Sequence, residues 1–248
     1  MPLPLVAPMS ALFLDVDGTL IEFVPRPEDA RVPEELRATL EALRHRLGGA
    51  LALVSGRALA DVDRLFAPLK LAAAGQHGAE ARLMPEGPVE VFIAPQAALQ
   101  AVLAAVAPHI AANPPLRVED KGLSIAFHYR GAEAEAAGLR RVIADAVARQ
   151  GAALRLLDGH LCFDLRPQVE HKGKVVERFM AVQPFAGRMP IYVGDAGTDE
   201  DGFAAALSRG GRAIRIGAPR PTRAPEALAD PAALRDWLAQ SANSLAAR

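Results

Sequence analysis

The sequence predicts an α/β fold in which a core domain built on a parallel sheet is interrupted once by an inserted α+β cap. Three observations carry that prediction. Short, unbroken apolar runs alternate with helical segments at both ends of the 248-residue chain, as expected of buried parallel strands covered by helices on both faces. Between about residues 79 and 165 the order changes to helix–strand–strand, repeated twice, which fits an antiparallel module rather than a continued parallel sheet. Three of the apolar runs stop at polar, Gly-flanked clusters, and open parallel sheets bind ligands beyond the carboxyl ends of their strands. The expected boundaries are therefore 1–78 with 166–248 for the core and 79–165 for the cap.

Each element follows from local chemistry. Ala11–Leu14 is a continuous apolar run that ends in Asp-Val-Asp-Gly, a buried strand opening into a loop. Pro33-Glu34-Glu35 puts a proline and two acids at a helix start, Leu36, Leu40, Leu43 and Leu47 follow at helical spacing, and Gly48-Gly49 ends the helix. Ala50–Val54 is a second buried strand that stops at Ser55-Gly56-Arg57, and a further helix reaches about Phe66. In the middle region Gly87-Pro88 separates two short strand-like runs. A helix from about Pro95 to Ala112 follows, with Pro108 expected to bend or end it. Strands are expected at Leu116–Glu119 and Leu123–Tyr129, a helix at about Ala132–Gln150, and strands at Ala153–Leu157 and Leu161–Leu165. Beyond Arg166-Pro167 come a helix from about Gly173 to Val182, strands ending at Val193 and Ile216, and a helix from Pro231 to about Ser241. Gly217–Pro225, rich in Arg and Pro, reads as a surface loop.

Composition narrows the function. With 28 Lys+Arg against 29 Asp+Glu the net charge is −1, which lacks the basic footprint of a nucleic-acid binder or a polybasic membrane-surface protein. The aromatic share of 5% argues against a stacking platform for bases. The hydrophobic fraction is 51%, but 51 of these residues are alanine. The remainder, about 75 larger apolar side chains, is enough for a sizeable core. The single cysteine, Cys162, fits a reducing cytoplasm and a strand position in the core better than a nucleophile. The proline-broken N-terminus and the short apolar runs give no signal peptide or anchor, so a soluble, cytoplasmic protein is expected.

The three strand-end clusters carry the chemistry. Asp15 and Asp17, two apart on an extended segment, point to the same side, and Mg²⁺ is the simplest way to keep both ionised. Asp-Gly is also common in plain turns, although four apolar residues immediately before it weigh against that alternative. Ser55 and Gly56 offer a hydroxyl and a backbone N–H near a helix start, suited to phosphate oxygens and equally to an ordinary cap. In Gly194–Asp201, Glu200 and Asp201 suit a helix N-terminus, whereas Asp195 precedes the helix at a strand tip. The chain has only four lysines, and one of them, Lys172, opens the helix after the inserted module as a compact point charge.

Taken in order, Asp-x-Asp-Gly-Thr, Ser-Gly-Arg, Lys-Gly and Gly-Asp-x-x-Thr-Asp resemble the four motifs of haloacid-dehalogenase-like phosphatases. Gly75–Glu80, Val118–Ser124 and Phe127–Arg130 narrow the resemblance to the trehalose-6-phosphate phosphatases, from Leu12 to about Phe203. The resemblance implies a Rossmann-like core and hydrolysis of trehalose 6-phosphate. Asp15 would be the nucleophile that forms an aspartyl-phosphate, and Asp17 the general acid and base. Asp15, the Asp17 carbonyl and Asp195 would hold Mg²⁺, with Asp199 in support. Ser55, Gly56 and Lys172 would hold the phosphoryl group. The same resemblance places Glu119 and Lys121 of the cap on the distal glucose, with Gln76, His77, His128, Arg130 and Asp164 as further sugar contacts.

The chain departs from the family pattern at two positions. Ala196 stands where the fourth motif often has a second acid, and Asp164 where many members have Glu, one methylene longer. The partner expected is a small-molecule substrate, with no nucleic acid or membrane, and the chain is expected to be monomeric. Rival readings are a capped phosphatase for sucrose phosphate or mannosyl-phosphoglycerate, and a non-catalytic phosphosugar-binding module. A nucleotide-dependent dehydrogenase would need a G-x-G-x-x-G turn after the first strand, and none is present.

Overall fold

The computed structural model describes residues 3–24, 26–92, 95–168 and 171–247. Met1 and Pro2, the start of the proline-broken N-terminal stretch, lie outside them. The chain forms two compact units, 1–90 with 172–248, and 91–171.

The first unit is built on strands β1 (Ser10–Leu14), β2 (Leu51–Val54), β3 (Ala72–Gly75), β4 (Glu80–Arg82) and β5 (Glu90–Val91), then β10 (Met189–Gly194), β11 (Arg212–Ile216) and β12 (Glu226–Leu228). Their order across the sheet is β12-β11-β10-β1-β2-β3-β4-β5, parallel from β12 to β3 and antiparallel where β3 meets β4. Every residue of β1 is buried, as its unbroken apolar run requires of a strand covered on both faces. Helices α1 (Glu34–Arg46), α2 (Leu59–Phe66), α5 (Lys172–Met180), α6 (Glu200–Ser208) and α7 (Pro231–Ala246) complete this unit. Leu36, Leu40 and Leu43 form the buried stripe of α1, each contributing about 1.5–3 kcal/mol by leaving water. Phe13 of β1 stacks on Phe185 at 5.6 Å between ring centroids and meets Phe179 of α5 at 5.8 Å.

The topology decides where a site can be. From β1 the chain steps outward to β2 and β3; after its excursion it returns on the other side of β1 as β10, β11 and β12. The order therefore reverses between β1 and β10, and the crevice beyond the carboxyl ends of those two strands is where such sheets bind ligands. Asp15 follows β1 and Asp195 follows β10.

The second unit carries α3 (Gln96–Ala112), β6 (Arg117–Asp120), β7 (Ile125–His128), α4 (Ala136–Ala148), β8 (Leu154–Asp158) and β9 (Cys162–Pro167). Its antiparallel sheet has the order β6-β7-β9-β8. Alternation sorts the side chains: Ile125, Phe127, Phe163 and Leu165 join Leu99, Val102 and Val106 of α3 and Leu139 and Ile143 of α4 in one core. The residues between them, including Glu119, Ala126, His128 and Asp164, occupy the opposite face of the sheet.

The cap boundaries and two strands differ from the sequence expectation. Residues 79–90, assigned to the cap, belong with the first unit, because β4 pairs with β3: Ala74 faces Ala81 and Gly75 faces Glu80. At the other boundary 166–171, assigned to the core, belong with the second unit, because Arg166 and Pro167 continue β9 against Arg155 and Leu154 of β8. Helix α3 runs to Ala112 as expected, with Pro108 inside it; the side-chain amide of Asn113 donates to the His109 carbonyl and caps the last turn. β3 and the edge strand β12 were not anticipated.

Candidate active site

Beyond β1 and β10, six side chains form one largely buried network. The Lys172 ammonium donates to Asp15 Oδ1 at 2.6 Å and to Asp199 Oδ1 at 2.7 Å. Thr19 Oγ1 lies 2.9 Å from Asp15 Oδ2 and 3.2 Å from Asp195 Oδ1, so its one proton is shared between two carboxylates. The Tyr192 hydroxyl donates to Asp199 Oδ1 at 2.9 Å and the Ala196 N–H to Asp199 Oδ2 at 2.9 Å. Both oxygens of Asp199 are therefore engaged by the protein.

The polypeptide folds this way for local reasons. Gly18, four residues after the β1 end and in the left-handed region with φ +79°, lets the chain turn back. A Cβ there would lie 2.5 Å from Asp195 Oδ2 and 2.3 Å from the Phe23 ring, so only glycine allows the two strand-end loops to approach. Lys172 opens α5 almost fully buried, its ammonium held by two charge-assisted hydrogen bonds.

Charge explains the electrostatics. Three carboxylates, Asp15, Asp195 and Asp199, surround one ammonium. Burial raises the Asp15 carboxyl well above its ordinary value, with Asp199 and Asp195 adding to the rise against the pull of Lys172. Asp195 is raised to about 6, by burial and then by the Asp199 charge. Burial disfavours the Lys172 cation, but Asp15 and Asp199 outweigh it and hold the amine charged. Burial and the Asp199 charge keep the Tyr192 phenol protonated, as a donor must be. Oxygens of Asp15, Asp195 and Asp199 lie within 4.8 Å of one another, an all-oxygen donor set suited to a hard divalent cation, whose charge would offset the local excess of negative charge.

Asp17 is placed apart from that cluster. Arg57 grips it in a fork, Nε to Oδ2 at 2.7 Å and Nη2 to Oδ1 at 2.7 Å. Ser55 is fully buried at the β2 end, and its Oγ accepts from the Arg57 N–H at 3.1 Å. Gly56 serves a steric purpose, since a Cβ there would sit 2.7 Å from the His77 ring. The Gln76-His77 turn, both residues at positive φ, is tied down by Gln76 N–H to the Arg57 carbonyl and His77 N–H to the Ser55 carbonyl. Glu80 Oε1 accepts from both the Gln76 side-chain amide and the Leu59 N–H.

The cap residues form a second group within their own unit. His128 Nε2 is 3.0 Å and Lys121 Nζ 3.9 Å from Glu119 Oε2, on the face of the sheet opposite α3 and α4. Ala126 pairs with both Glu119 and Asp164, which sets these two acids in one row across β6, β7 and β9. Arg130 is exposed in the turn after β7. Cys162 lies on β9, where burial pushes its thiol up to about 12, far from the reactive range.

Sequence reasoning missed three residues here. Arg57 was noted within the second cluster without a role, although an arginine two residues past a strand-end serine was the available signal. Tyr192 was read only as part of a buried strand. Arg220, in the predicted surface loop, donates to the Asp195 and Ala196 carbonyls and pairs with Glu200 at 2.7 Å, so Glu200 has a specific partner besides the helix dipole.

Residues 13–231 match the trehalose-phosphatase family model. The chain belongs to the trehalose-phosphatase family. Among its relatives is a probable trehalose-phosphate phosphatase of Sinorhizobium fredii, 40% identical over 85% of this chain and 79% of that one. The trehalose-6-phosphate phosphatase of Escherichia coli is 35% identical over 84% of this chain and 77% of its own. In structure, the C-terminal domain of a Candida albicans trehalose-6-phosphate phosphatase superposes with a TM-score of 0.85, covering 95% of this chain and 93% of that one at 19% identity. A haloacid dehalogenase-like hydrolase from Bacillus subtilis shares the fold at a TM-score of 0.63 and 16% identity, over 95% of this chain and 99% of that one. These matches favour a trehalose-phosphate phosphatase over the sucrose-phosphate and mannosyl-phosphoglycerate alternatives. Among the described residues no helix is long and apolar enough to cross a membrane.

Proposed function

We propose that this trehalose phosphatase hydrolyses trehalose 6-phosphate to trehalose and inorganic phosphate, with Mg²⁺, by way of an aspartyl-phosphate at Asp15. The observation that carries the reading is Lys172, buried and donating to both Asp15 and Asp199 beside Asp195. A phosphoryl group entering this cluster meets a nucleophile, a cation and a set of oxygen donors together.

In the first step an Asp15 carboxylate oxygen bonds to phosphorus while the bond from phosphorus to the sugar oxygen breaks. Asp17 delivers a proton to the departing sugar oxygen, and is left as the base that deprotonates water for the second step. That water oxygen bonds to phosphorus, the bond to Asp15 breaks, and inorganic phosphate leaves. Ser55, the Gly56 N–H and Lys172 hold the phosphoryl oxygens, with the Lys172 charge offsetting the negative charge that develops there. Asp15, the Asp17 backbone carbonyl and Asp195 would hold Mg²⁺, with Asp199 in support from the outer side, since both its oxygens are already engaged. When bound, the ion would neutralise the carboxylates and phosphoryl oxygens so that an anionic nucleophile can approach an anionic substrate. Glu119, Lys121, His128, Arg130 and Asp164 of the cap, with Gln76 and His77 of the core, are the groups we assign to the sugar.

Steady-state phosphate release across a panel of sugar phosphates, with Mg²⁺ and with EDTA, tests this reading. The expected result is the highest kcat/KM with trehalose 6-phosphate and loss of activity in EDTA. A higher kcat/KM with another sugar phosphate would reassign the substrate.

A further inference from the structure

A cavity of about 390 Å³ lies within the first unit, between the segment before α1, the start of α1, and α2. Four of its lining residues are arginines, Arg31, Arg37, Arg57 and Arg64, against two acids, Glu28 and Asp61. Asp61 is taken up by Arg64 at 2.7 Å, and Arg57 reaches away to Asp17. Arg31 and Arg37 form no ion pair among the described residues; Arg31 Nη1 is spent on the Glu28 and Ala30 carbonyls. The Arg37 Nε is buried and has no hydrogen-bond partner.

Arg31 and Arg64 are exposed and keep N–H groups in water, whereas the buried Arg37 Nε, left unpaired, costs about 1–3 kcal/mol. We propose that the cavity is a second anion-binding site, separate from the Asp15–Lys172 centre, that takes a phosphate dianion, either free or as the monoester of a small sugar. Forked N–H donors match phosphate oxygens two at a time, and the volume admits a group of monosaccharide size. Ser55, Lys172 and the acidic cluster do not line it. Arg57 is the shared wall, so an occupant would sit one guanidinium away from Asp17.

The test is equilibrium binding of inorganic phosphate to the full chain, wild type against Arg37→Gln and, as an independent variant, Arg31→Gln, each checked for an unchanged melting midpoint. Wild type is expected to bind two phosphates per chain, one at the active centre and one in the cavity, the latter at about 1 mM or below. Each variant should keep the first site and its hydrolytic rate and weaken the second by about tenfold or more, the loss of one charged hydrogen-bond donor. A non-hydrolysable hexose 6-phosphonate distinguishes the sources. Displacement of the second phosphate at lower concentration than phosphate itself identifies a sugar ester, and failure to displace it identifies free phosphate. One phosphate per chain in wild type, or a second site that neither variant weakens, would overturn the proposal.

Discussion

Replacing Asp195 by Asn should make the metal-free protein more stable and remove most of its response to Mg²⁺. Asp195 shares Thr19 with Asp15 and sits beside Asp199, with Lys172 the one ammonium set among the three carboxylates. Its carboxyl is raised from 3.8 to about 6, first by burial and then by Asp199. A carboxyl raised on folding favours the folded state at pH values below its unfolded pKa and loses that contribution as the pH climbs through the folded one. At pH 7.5 Asp195 is therefore charged at a cost on the order of 2–3 kcal/mol, which the amide does not incur. For a chain of this size each kcal/mol moves the melting midpoint by about 2–4 °C, so Asp195→Asn in EDTA should melt about 4–12 °C above wild type. The gap should close as the pH falls through 6 toward 4. Mg²⁺ at a hundred times its dissociation constant should add about 2.7 kcal/mol to wild type and little to the variant. Scanning calorimetry of both proteins at pH 7.5 and 5.0, with EDTA and with MgCl₂, makes the comparison. A variant that melts below wild type in EDTA at pH 7.5, or that keeps the full gain with Mg²⁺, would refute the charge argument.

Three further outcomes are expected. Asp15→Asn should fold normally and lose turnover, because an amide oxygen does not attack phosphorus; turnover within tenfold of wild type, with deamidation excluded by mass, would end the covalent mechanism. Lys121→Ala should lower kcat/KM for trehalose 6-phosphate by about 10–150-fold while changing hydrolysis of a small aryl phosphate by less than about threefold; equal losses on both would assign Lys121 to the fold instead. Tyr192→Phe removes one donor from the buried Asp199 and should lower stability by about 1–3 kcal/mol, read as a fall in melting midpoint, with no change in substrate preference.

The chemistry of the site was legible in the sequence because it is local. Asp15 and Asp195 follow short, unbroken apolar runs bounded by Gly and Asp, as buried strands are, so their position at strand tips was readable before any fold was known. Their meeting is a property of sheet order, since β1 and β10 are neighbours although Asp15 and Asp195 lie 180 positions apart. What the sequence hid depends on tertiary context. β3 is Ala-Ala-Ala-Gly, with none of the branched or aromatic side chains that mark a strand, and becomes one because β2 and β4 flank it. β4 reads as part of an insertion until Gly75 and Glu80 are seen paired across the Gln76–Ala79 turn. Arg57, Tyr192 and Arg220 are ordinary in sequence and acquire roles only through partners 40, 7 and 25 positions away.

Reductive trapping of the intermediate tests the central claim most directly. Borohydride added during turnover reduces an aspartyl-phosphate to homoserine, and peptide mass analysis locates it. With trehalose 6-phosphate and Mg²⁺ the modified residue should be Asp15, and it should be unmodified when EDTA replaces Mg²⁺ or when substrate is omitted. Steady turnover of trehalose 6-phosphate with Asp15 left unmodified, or with the modification at another carboxylate, would contradict the account.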